Sequence, residues 1–171
     1  PALWTPEKAG KVMAEALTCV DVCVANEEHA ALLFGITSDR DTETGRLSEI
    51  AEKMTARFSL DRVLLTMRES LSSDDNEVAA ALYAGGKLYT SKRYRVHIVD
   101  RVGGGDALTA AYLYTESAEI ADRLVTETDP AAQIDFACAA NAFKHSVEGD
   151  VNIASPAEIA AAVRGSVRLT R

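Results

Sequence analysis

The stretch DRVGGGDA at residues 100–107 is the most informative part of this chain. It follows a run of β-type residues at 94–99 and precedes a helical pattern at 107–117, so it predicts a tight strand-to-helix turn. Its consecutive glycines let the backbone bring bare N–H groups close to a ligand, and the positive end of the following helix favours a bound phosphate. Asp106 adds a carboxylate, and a phosphate cradle beside a carboxylate suits phosphoryl transfer to an alcohol.

A purely structural turn is the alternative for residues 100–107, because glycine-rich turns also join strands to helices for packing reasons. The residues after the glycines exclude two other phosphate-binding motifs. The Walker A loop needs Lys followed by Ser or Thr, whereas Asp106 and Ala107 stand here. In the dinucleotide-binding fingerprint, a carboxylate at the position of Asp106 would repel the pyrophosphate.

Composition and charge describe a chain with enough apolar residues for a core and with an acidic balance. The 171 residues are 47% hydrophobic and carry a net charge of −8, which argues against nucleic acid and anionic membranes as partners. No run approaches the ~20 apolar residues of a membrane span, and no signal segment is recognisable. We expect residues 1–171 to form one domain, or a large part of one, of a cytoplasmic protein.

The cysteines predict reduced thiols. Cys19, Cys23 and Cys138 are odd in number and lie in apolar stretches, as is typical of core thiols in a cytoplasmic protein. A metal site at Cys19 and Cys23 is the alternative, but the sequence offers no second pair and its histidines are scattered. We therefore expect no direct metal ligands.

Helical and strand patterns alternate along the chain. Helices are predicted at 6–18, 27–35, 46–58, 107–117, 119–126, 131–147 and from 156 onward, with Thr5, Asn26 and Ser155 as caps. Strands are predicted at 20–25, 62–67, 77–84 and 87–99, with a hairpin turn at Gly85-Gly86. This alternation predicts an α/β fold with a layered, mostly parallel sheet and an antiparallel hairpin at one side.

Residues 100–106 resemble the C-terminal signature of the ribokinase-like, or PfkB-type, carbohydrate kinases, usually written D-T-x-G-A-G-D. The segments 22–30, 79–94 and 136–150 resemble the same family in the same order. The resemblance implies a ribokinase-like three-layer α/β/α sandwich whose first strands, lid and most sugar-binding residues precede this chain. Residues 1–171 would then be the C-terminal part of a single kinase domain, the half with the ATP site and the catalytic base.

The resemblance implies a role for each residue of the signature. Asp106 would be the general base, taking a proton from the sugar hydroxyl as that oxygen attacks the γ-phosphorus of ATP. Gly103, Gly104 and Gly105 would form the anion hole and donate N–H groups to the ATP phosphates. Asp100 would contribute to the ATP site by ordering the turn through hydrogen bonds, with an ordinary strand-end aspartate as the alternative.

Three expected ATP-binding residues lie outside the signature. They are Thr66, Arg68 and Asn141. Many family members have a Gly-x-x-Gly after the strand that ends near Thr66, and its absence here means that nucleotide contacts there must differ. Arg68 would reach a phosphate or, equally, be solvated. Asn141 and its neighbour Lys144 would border the adenine or, equally, lie on the surface.

The family's N-x-x-E motif helps to place Mg²⁺ through a shell of water. In this chain His29 stands where the motif has its Glu. Asn26 and Glu28 would then be the residues associated with Mg²⁺, with Glu28 as the substitute. A helix cap is the alternative role for Asn26.

The implied function is phosphorylation of a sugar acid with ATP and Mg²⁺. Residues 66–70 and the Asp-Arg-Val form of the signature most resemble kinases that convert 2-keto-3-deoxygluconate to its 6-phosphate. Fructose and 5-dehydro-2-deoxygluconate stay open as substrates, because the specificity residues lie upstream. A catalytically inactive remnant is the other alternative, and it would form homo-oligomers because an uncovered sheet edge and apolar face favour association.

Overall fold

The computed structural model describes residues 3–117 and 129–165. These residues belong to two compact units, one within Pro1–Leu65 and Ala81–Tyr89, the other within Thr66–Ala80 and Thr90–Arg171. The helix predicted at 119–126 lies outside the described residues. Within the two described ranges, no helix has both the length and the apolar character that crossing a membrane requires.

The described ranges contain five strands and six α-helices, which confirms the predicted α/β class. The strands are β1 (Val22–Ala25), β2 (Arg62–Ser70), β3 (Asp75–Ala84), β4 (Lys87–Thr90) and β5 (Tyr94–His97). The helices are α1 (Pro6–Ala16), α2 (Glu27–Phe34), α3 (Glu43–Phe58), α4 (Gly104–Glu116), α5 (Pro130–His145) and α6 (Pro156–Val163). A short 3₁₀ turn, Leu17–Cys19, follows α1.

The strands pair in the order β1-β2-β3-β4, and β5 also pairs with β3. β1 and β2 are parallel, with Val22 opposite Arg62, whereas β3 and β5 are antiparallel, with Asp75 opposite His97. Glycines at 85 and 86, with φ of 57° and 78°, form the predicted hairpin turn between β3 and β4. The sheet is therefore mixed, with more antiparallel pairing than the sequence pattern predicted.

The single strand predicted at 87–99 is interrupted between β4 and β5. Ser91 still pairs with Ala80, since its N–H donates to the carbonyl oxygen of Ala80 and its Oγ accepts the N–H of that residue. The next N–H, of Lys92, donates instead to Oδ1 of Asp135 on α5, over 3.0 Å. The carboxylate of Asp135 thus replaces a strand carbonyl as the acceptor of this N–H group. The residue pattern of the strand gives no sign of this interruption.

Helix caps in the sequence set most helix starts. The side chains of Thr5, Asn26 and Ser155 each accept a backbone N–H of the helix that begins there, which confirms these three predicted caps. Thr42 caps α3 in the same way, so that helix begins at Glu43, three residues before the predicted start. In the first unit α1 packs closely on α2, because a Cβ at Gly10 would meet the carbonyl oxygen of Leu33.

The second unit is built around α5. Every residue of this helix from Gln133 to Ala142 is buried, and its many alanines allow α4 and α6 to pack against it. The hydroxyl of Tyr94 on β5 donates to Oδ1 of Asp135 over 2.9 Å, which joins the sheet to the same helix. This helix positions the candidate site.

The cysteines only partly match their predicted burial. All three are free, and Cys138 is buried, Cys23 half-buried and Cys19 exposed. The prediction of a core thiol is therefore wrong for Cys19, which lies in the short turn after α1 with its side chain toward solvent. Burial raises the pKa of the Cys138 thiol to about 12.

Candidate phosphate-binding site

Helix α4 begins inside the glycine run, three residues before its predicted start. Gly103 is the N-cap in a left-handed conformation, with φ of 84° and ψ of 0°, and Gly104 is the first helical residue. The first helical bond runs from the N–H of Ala107 to the carbonyl oxygen of Gly103. The N–H groups of residues 104–106 therefore have no carbonyl one turn earlier, and they lie at the positive end of the helix.

Different physical constraints apply at the three consecutive glycines of the turn. Gly103 needs its positive φ, and a Cβ there would also collide with the carbonyl oxygen of Asp150. A Cβ at Gly104 would lie 2.7 Å from Cε1 of His145. A Cβ at Gly105 would have no atom of the described residues within 4 Å, apart from its chain neighbours and the nearby backbone of its own helix. Packing explains the first two glycines, whereas the third leaves open space in front of the exposed helix N-terminus.

Asp100 holds the turn from its first residue. Its Oδ1 accepts the N–H of Val102 and its Oδ2 accepts the N–H of Gly149, each over 3.0 Å. These two backbone hydrogen bonds are the main reason why the pKa of Asp100 is lowered, and the charge of Lys144 adds to them. This geometry favours the ordering role of Asp100 over that of an ordinary strand-end aspartate.

The last turns of α5 contact the glycine turn directly. Nδ2 of Asn141 donates to the carbonyl oxygen of Gly104 over 2.9 Å. Nδ1 of His145 lies 2.8 Å from the carbonyl oxygen of Asn141, so this ring nitrogen is the donor. The carbonyl oxygen of His145 in turn accepts the N–H groups of Val99 and Asp100. Asn141 therefore lies at the candidate site, and its buried Oδ1 has no hydrogen-bond partner among the described residues.

The charges of three basic residues act on the last turn of α5. Lys144 is 0% exposed and donates from Nζ to the carbonyl oxygen of Val147. Burial is the main reason why the pKa of His145 is lowered, and the charges of Lys144, Arg68 and Arg101 lower it further. Asn141 is 8% exposed, so the alternative that this residue and Lys144 are surface residues is wrong.

The remaining predicted residues divide between the units. Asp106 is exposed in the first turn of α4, beside the open space at Gly105. Arg68 is an exposed residue and Thr66 a half-buried one on β2, which runs to Ser70 rather than ending at 67. All of these lie in the second unit, together with Asp100 and Asn141.

Asn26 and Glu28 lie in the first unit, at the start of α2. Oδ1 of Asn26 accepts the N–H of His29 over 2.7 Å, and Glu28 is exposed. The cap explains an asparagine at this position without a metal ion. Among the described residues, no three His, Cys, Asp or Glu side chains come together as metal ligands would.

Sequence reasoning missed His145. The available signal was its place in segment 136–150, which resembles the kinase family, at the end of an alanine-rich helix. Spacing does not reveal that this imidazole fits against a glycine on another helix. The contact depends on how α4 and α5 pack, which is a tertiary property.

Comparison with known proteins identifies relatives over 95% of this chain. No family model matches. A curated relative, 2-dehydro-3-deoxygalactonokinase of Haloferax volcanii, is 25% identical over 163 residues, which are 95% of this chain and 44% of the relative. The crystal structure of 2-dehydro-3-deoxygluconokinase from Thermotoga maritima is 34% identical with a TM-score of 0.85, over 95% of this chain and 47% of that one.

A PfkB family carbohydrate kinase from Listeria grayi is 30% identical with a TM-score of 0.78, again over 95% of this chain and 47% of that one. A ribokinase II candidate from E. coli, solved with ATP and Mg²⁺, shares the fold at 18% identity and a TM-score of 0.60, over 91% of this chain and 42% of that one. The chain spans about half the length of the relatives it matches. It is therefore a homologue of the PfkB carbohydrate kinases, with a ribokinase-like fold.

Proposed function

We propose that this chain holds the nucleotide site and the catalytic base of an ATP-dependent kinase that phosphorylates a sugar acid. The observation that carries the proposal is the difference between the glycines of the turn. Gly103 and Gly104 are packed against neighbouring atoms, whereas Gly105, which directly precedes the exposed Asp106 in sequence, has open space at its Cβ position among the described residues. A turn built only for packing has no need of that third glycine.

The second unit would hold the phosphates of ATP. The N–H groups of residues 104–106 would donate to the phosphate oxygens, and Arg68, Arg101 and Lys144 would supply positive charge. Removing one N–H donor of this kind typically costs about 3 kcal/mol of transition-state stabilisation. The E. coli fold relative with bound ATP and Mg²⁺ supports ATP as the phosphoryl donor.

Asp106 would act as the general base. Its carboxylate would accept the proton of the sugar hydroxyl as the oxygen forms its bond to the γ-phosphorus, and ADP would leave with the bridging electrons. A carboxylate is a weak base, so position and late proton transfer carry most of its effect. Asp100 and Asn141 would keep the turn in place from either side, through the hydrogen bonds described above.

As the family's motif implies, Asn26 and Glu28 of the first unit would hold water molecules that bind Mg²⁺. The cap bond of Asn26 to His29 occupies one lone pair of Oδ1, and the second lone pair stays available to a water molecule. Bound Mg²⁺ would neutralise charge on the phosphates as it does in other kinases. Thr66 completes the proposed ATP site.

The sugar that we propose is 2-keto-3-deoxygluconate, which is the same compound as 2-dehydro-3-deoxygluconate. The Thermotoga relative is named for it. Its C4 epimer, 2-dehydro-3-deoxygalactonate, is the second candidate, because the Haloferax relative is named for that sugar acid. Fructose and 5-dehydro-2-deoxygluconate are the substrates to compare.

A coupled assay of ADP release on the intact enzyme tests the proposal. We expect turnover with a 2-keto-3-deoxy sugar acid and MgATP, and at most weak turnover with fructose. Asp106→Asn should abolish turnover yet leave MgATP binding nearly unchanged, whereas Asp39→Asn, a matched change at an exposed loop residue, should have no effect. Full turnover by Asp106→Asn would overturn the assignment of the base.

An inactive, oligomerising remnant is the competing proposal. Size-exclusion chromatography combined with the same assay on the 171-residue chain separates the two. Homo-oligomers without nucleotide binding would favour the remnant, whereas sugar-dependent ADP release would exclude it.

A further inference from the structure

The imidazole of His145 packs directly against Gly104 and fills the space that a side chain at position 104 would occupy. A Cβ built on Gly104 would lie 2.7 Å from Cε1 and 3.3 Å from Nε2 of His145. Real Cβ atoms do not approach other atoms as closely as the first of these distances. The carbohydrate kinase signature D-T-x-G-A-G-D has Ala at this position, so Gly104 is a departure from it.

The imidazole of His145 has little freedom to move away. The residue is 6% exposed, and its Nδ1 donates to the carbonyl oxygen of Asn141 one turn earlier on α5. Its own carbonyl oxygen accepts the N–H groups of Val99 and Asp100 at the start of the turn. A side chain at position 104 would therefore push on a ring that is held by a hydrogen bond and by packing.

The same contact bears on the N–H donors of the turn. Asn141, which accepts from His145, donates from Nδ2 to the carbonyl oxygen of Gly104. His145, Asn141 and Gly104 thus form a closed set of contacts, and a shift of the ring would displace the first peptide of α4. That peptide carries the N–H group of Gly105, the residue that faces open space.

We propose that His145 is a positioning residue of the nucleotide site, and that it forms a matched pair with Gly104. The imidazole occupies the volume that a side chain at position 104 would take and sets where the first turn of α4 presents its N–H groups. The inference rests on the proposed function, because it assigns to those N–H groups the phosphates of a nucleotide. It adds a residue and a pairwise dependence that the signature alone does not contain.

Three variants of the 171-residue chain test the pair, with MgATP as the probe and its Kd measured by calorimetry. Gly104→Ala should raise Kd by about fivefold or more, because the added methyl group displaces the peptide that presents the N–H group of Gly105. His145→Asn keeps a side-chain N–H for Asn141 but vacates the space, and it should raise Kd only about threefold. The double variant should bind within about threefold of the unsubstituted chain, because the methyl group then fills the vacated space.

The rescue of affinity separates positioning from general stability. Gly10→Ala, whose Cβ would collide with Leu33 in the first unit, should lower the unfolding temperature without changing Kd below that temperature. If Gly104→Ala alone does not fold, the double variant should fold and bind. If the increase in Kd of the double variant equals the product of the two single increases, the two residues act independently and the proposed pair is wrong. A double variant that fails to fold would also overturn the pair. Failure of the unsubstituted chain to bind MgATP would instead overturn the proposed function on which the pair rests.

Discussion

Asp100 and Gly149 are 49 positions apart in sequence and joined by a 3.0 Å hydrogen bond from the N–H of Gly149 to Oδ2 of Asp100. The other oxygen of the same carboxylate accepts the N–H of Val102. One ionised side chain therefore holds the glycine turn on one side and the turn after α5 on the other. Because both partners are donors, a group at this position has to present two acceptors.

Asp100→Asn should lower the unfolding temperature, since the amide offers one acceptor and turns an N–H toward an N–H. The pKa of Asp100 is lowered from 3.8, so its stabilising contribution is present above that pH and is lost as the pH falls through the folded-state pKa. Thermal unfolding followed by circular dichroism between neutral pH and pH ~3 measures both effects. The variant should lose part of the acid dependence, and parallel profiles for the two proteins would contradict this account.

Gly105→Ala should separate folding from nucleotide binding. Among the described residues, the added methyl group meets no atom within 4 Å beyond its chain neighbours and the nearby backbone of its own helix. Alanine in a helix is favoured over glycine by up to about 1 kcal/mol. The unfolding temperature should stay the same or rise. MgATP binding, measured by calorimetry, should weaken about tenfold or more, because the methyl group occupies the space that we assign to a phosphate.

Gly103→Ala is the control for that experiment. It requires alanine at φ of +84° and a collision with Asp150, so this variant should be strongly destabilised. Unchanged MgATP affinity in Gly105→Ala would mean that the open space is not a ligand site.

Arg68→Gln should weaken MgATP binding without destabilising the fold. Arg68 is exposed on β2, and its charge acts on His145 beside the glycine turn. A charge-assisted contact of this kind contributes about 1.5–3 kcal/mol, which corresponds to a rise in Kd of roughly ten- to 150-fold. Added salt should weaken MgATP binding less in the variant than in the unsubstituted chain.

Arg95→Gln is the matched control, since it removes the same charge from an exposed strand residue of the same unit. It should leave Kd within about twofold, the range expected for a screened surface charge. Equal effects of the two substitutions would favour the alternative that Arg68 is merely solvated.

His145 should make the chain less stable as the pH falls below neutrality. Burial lowers the pKa of its imidazole from 6.5, so below that pH the unfolded chain binds more protons than the folded one. The contribution of His145 to the free energy of unfolding is complete above about pH 6.5 and is lost as the pH drops toward the folded-state pKa. Urea unfolding at a series of pH values should show this decrease, and His145→Asn should show less of it. An identical decrease in both proteins would exclude the histidine as its source.

Local signals in the sequence were enough to predict the six described helices and the strand-to-helix turn, although α3 and α4 each begin three residues before their predicted starts. Thr5, Asn26 and Ser155 are caps because their side chains accept the N–H group three residues ahead, which is a property of a few adjacent residues. The glycine run was a local signal too, because consecutive glycines before a helix are typical of a phosphate-binding turn. The resemblance to carbohydrate kinases added the overall fold, which agrees with the Thermotoga relative.

Contacts between distant segments could not be predicted. For Lys144 the sequence left two options open, a place that borders the adenine and a place on the surface, where charged side chains usually lie, and Lys144 is buried. The interruption between β4 and β5 arises because Asp135, far along the chain, takes a backbone N–H. The roles of Gly104 and His145 likewise depend on the packing of two helices. For the strand interruption and for Gly104, the deciding partner lies tens of residues away along the chain.

The amide NMR spectrum of the isotopically labelled 171-residue chain, titrated with MgATP, tests whether the glycine turn binds the phosphates. If it does, the N–H resonances of Gly104, Gly105 and Asp106 should shift most, with a saturating dependence on nucleotide concentration. Shifts that leave these three resonances in place, or that appear only at residues remote from the glycine turn, would contradict it.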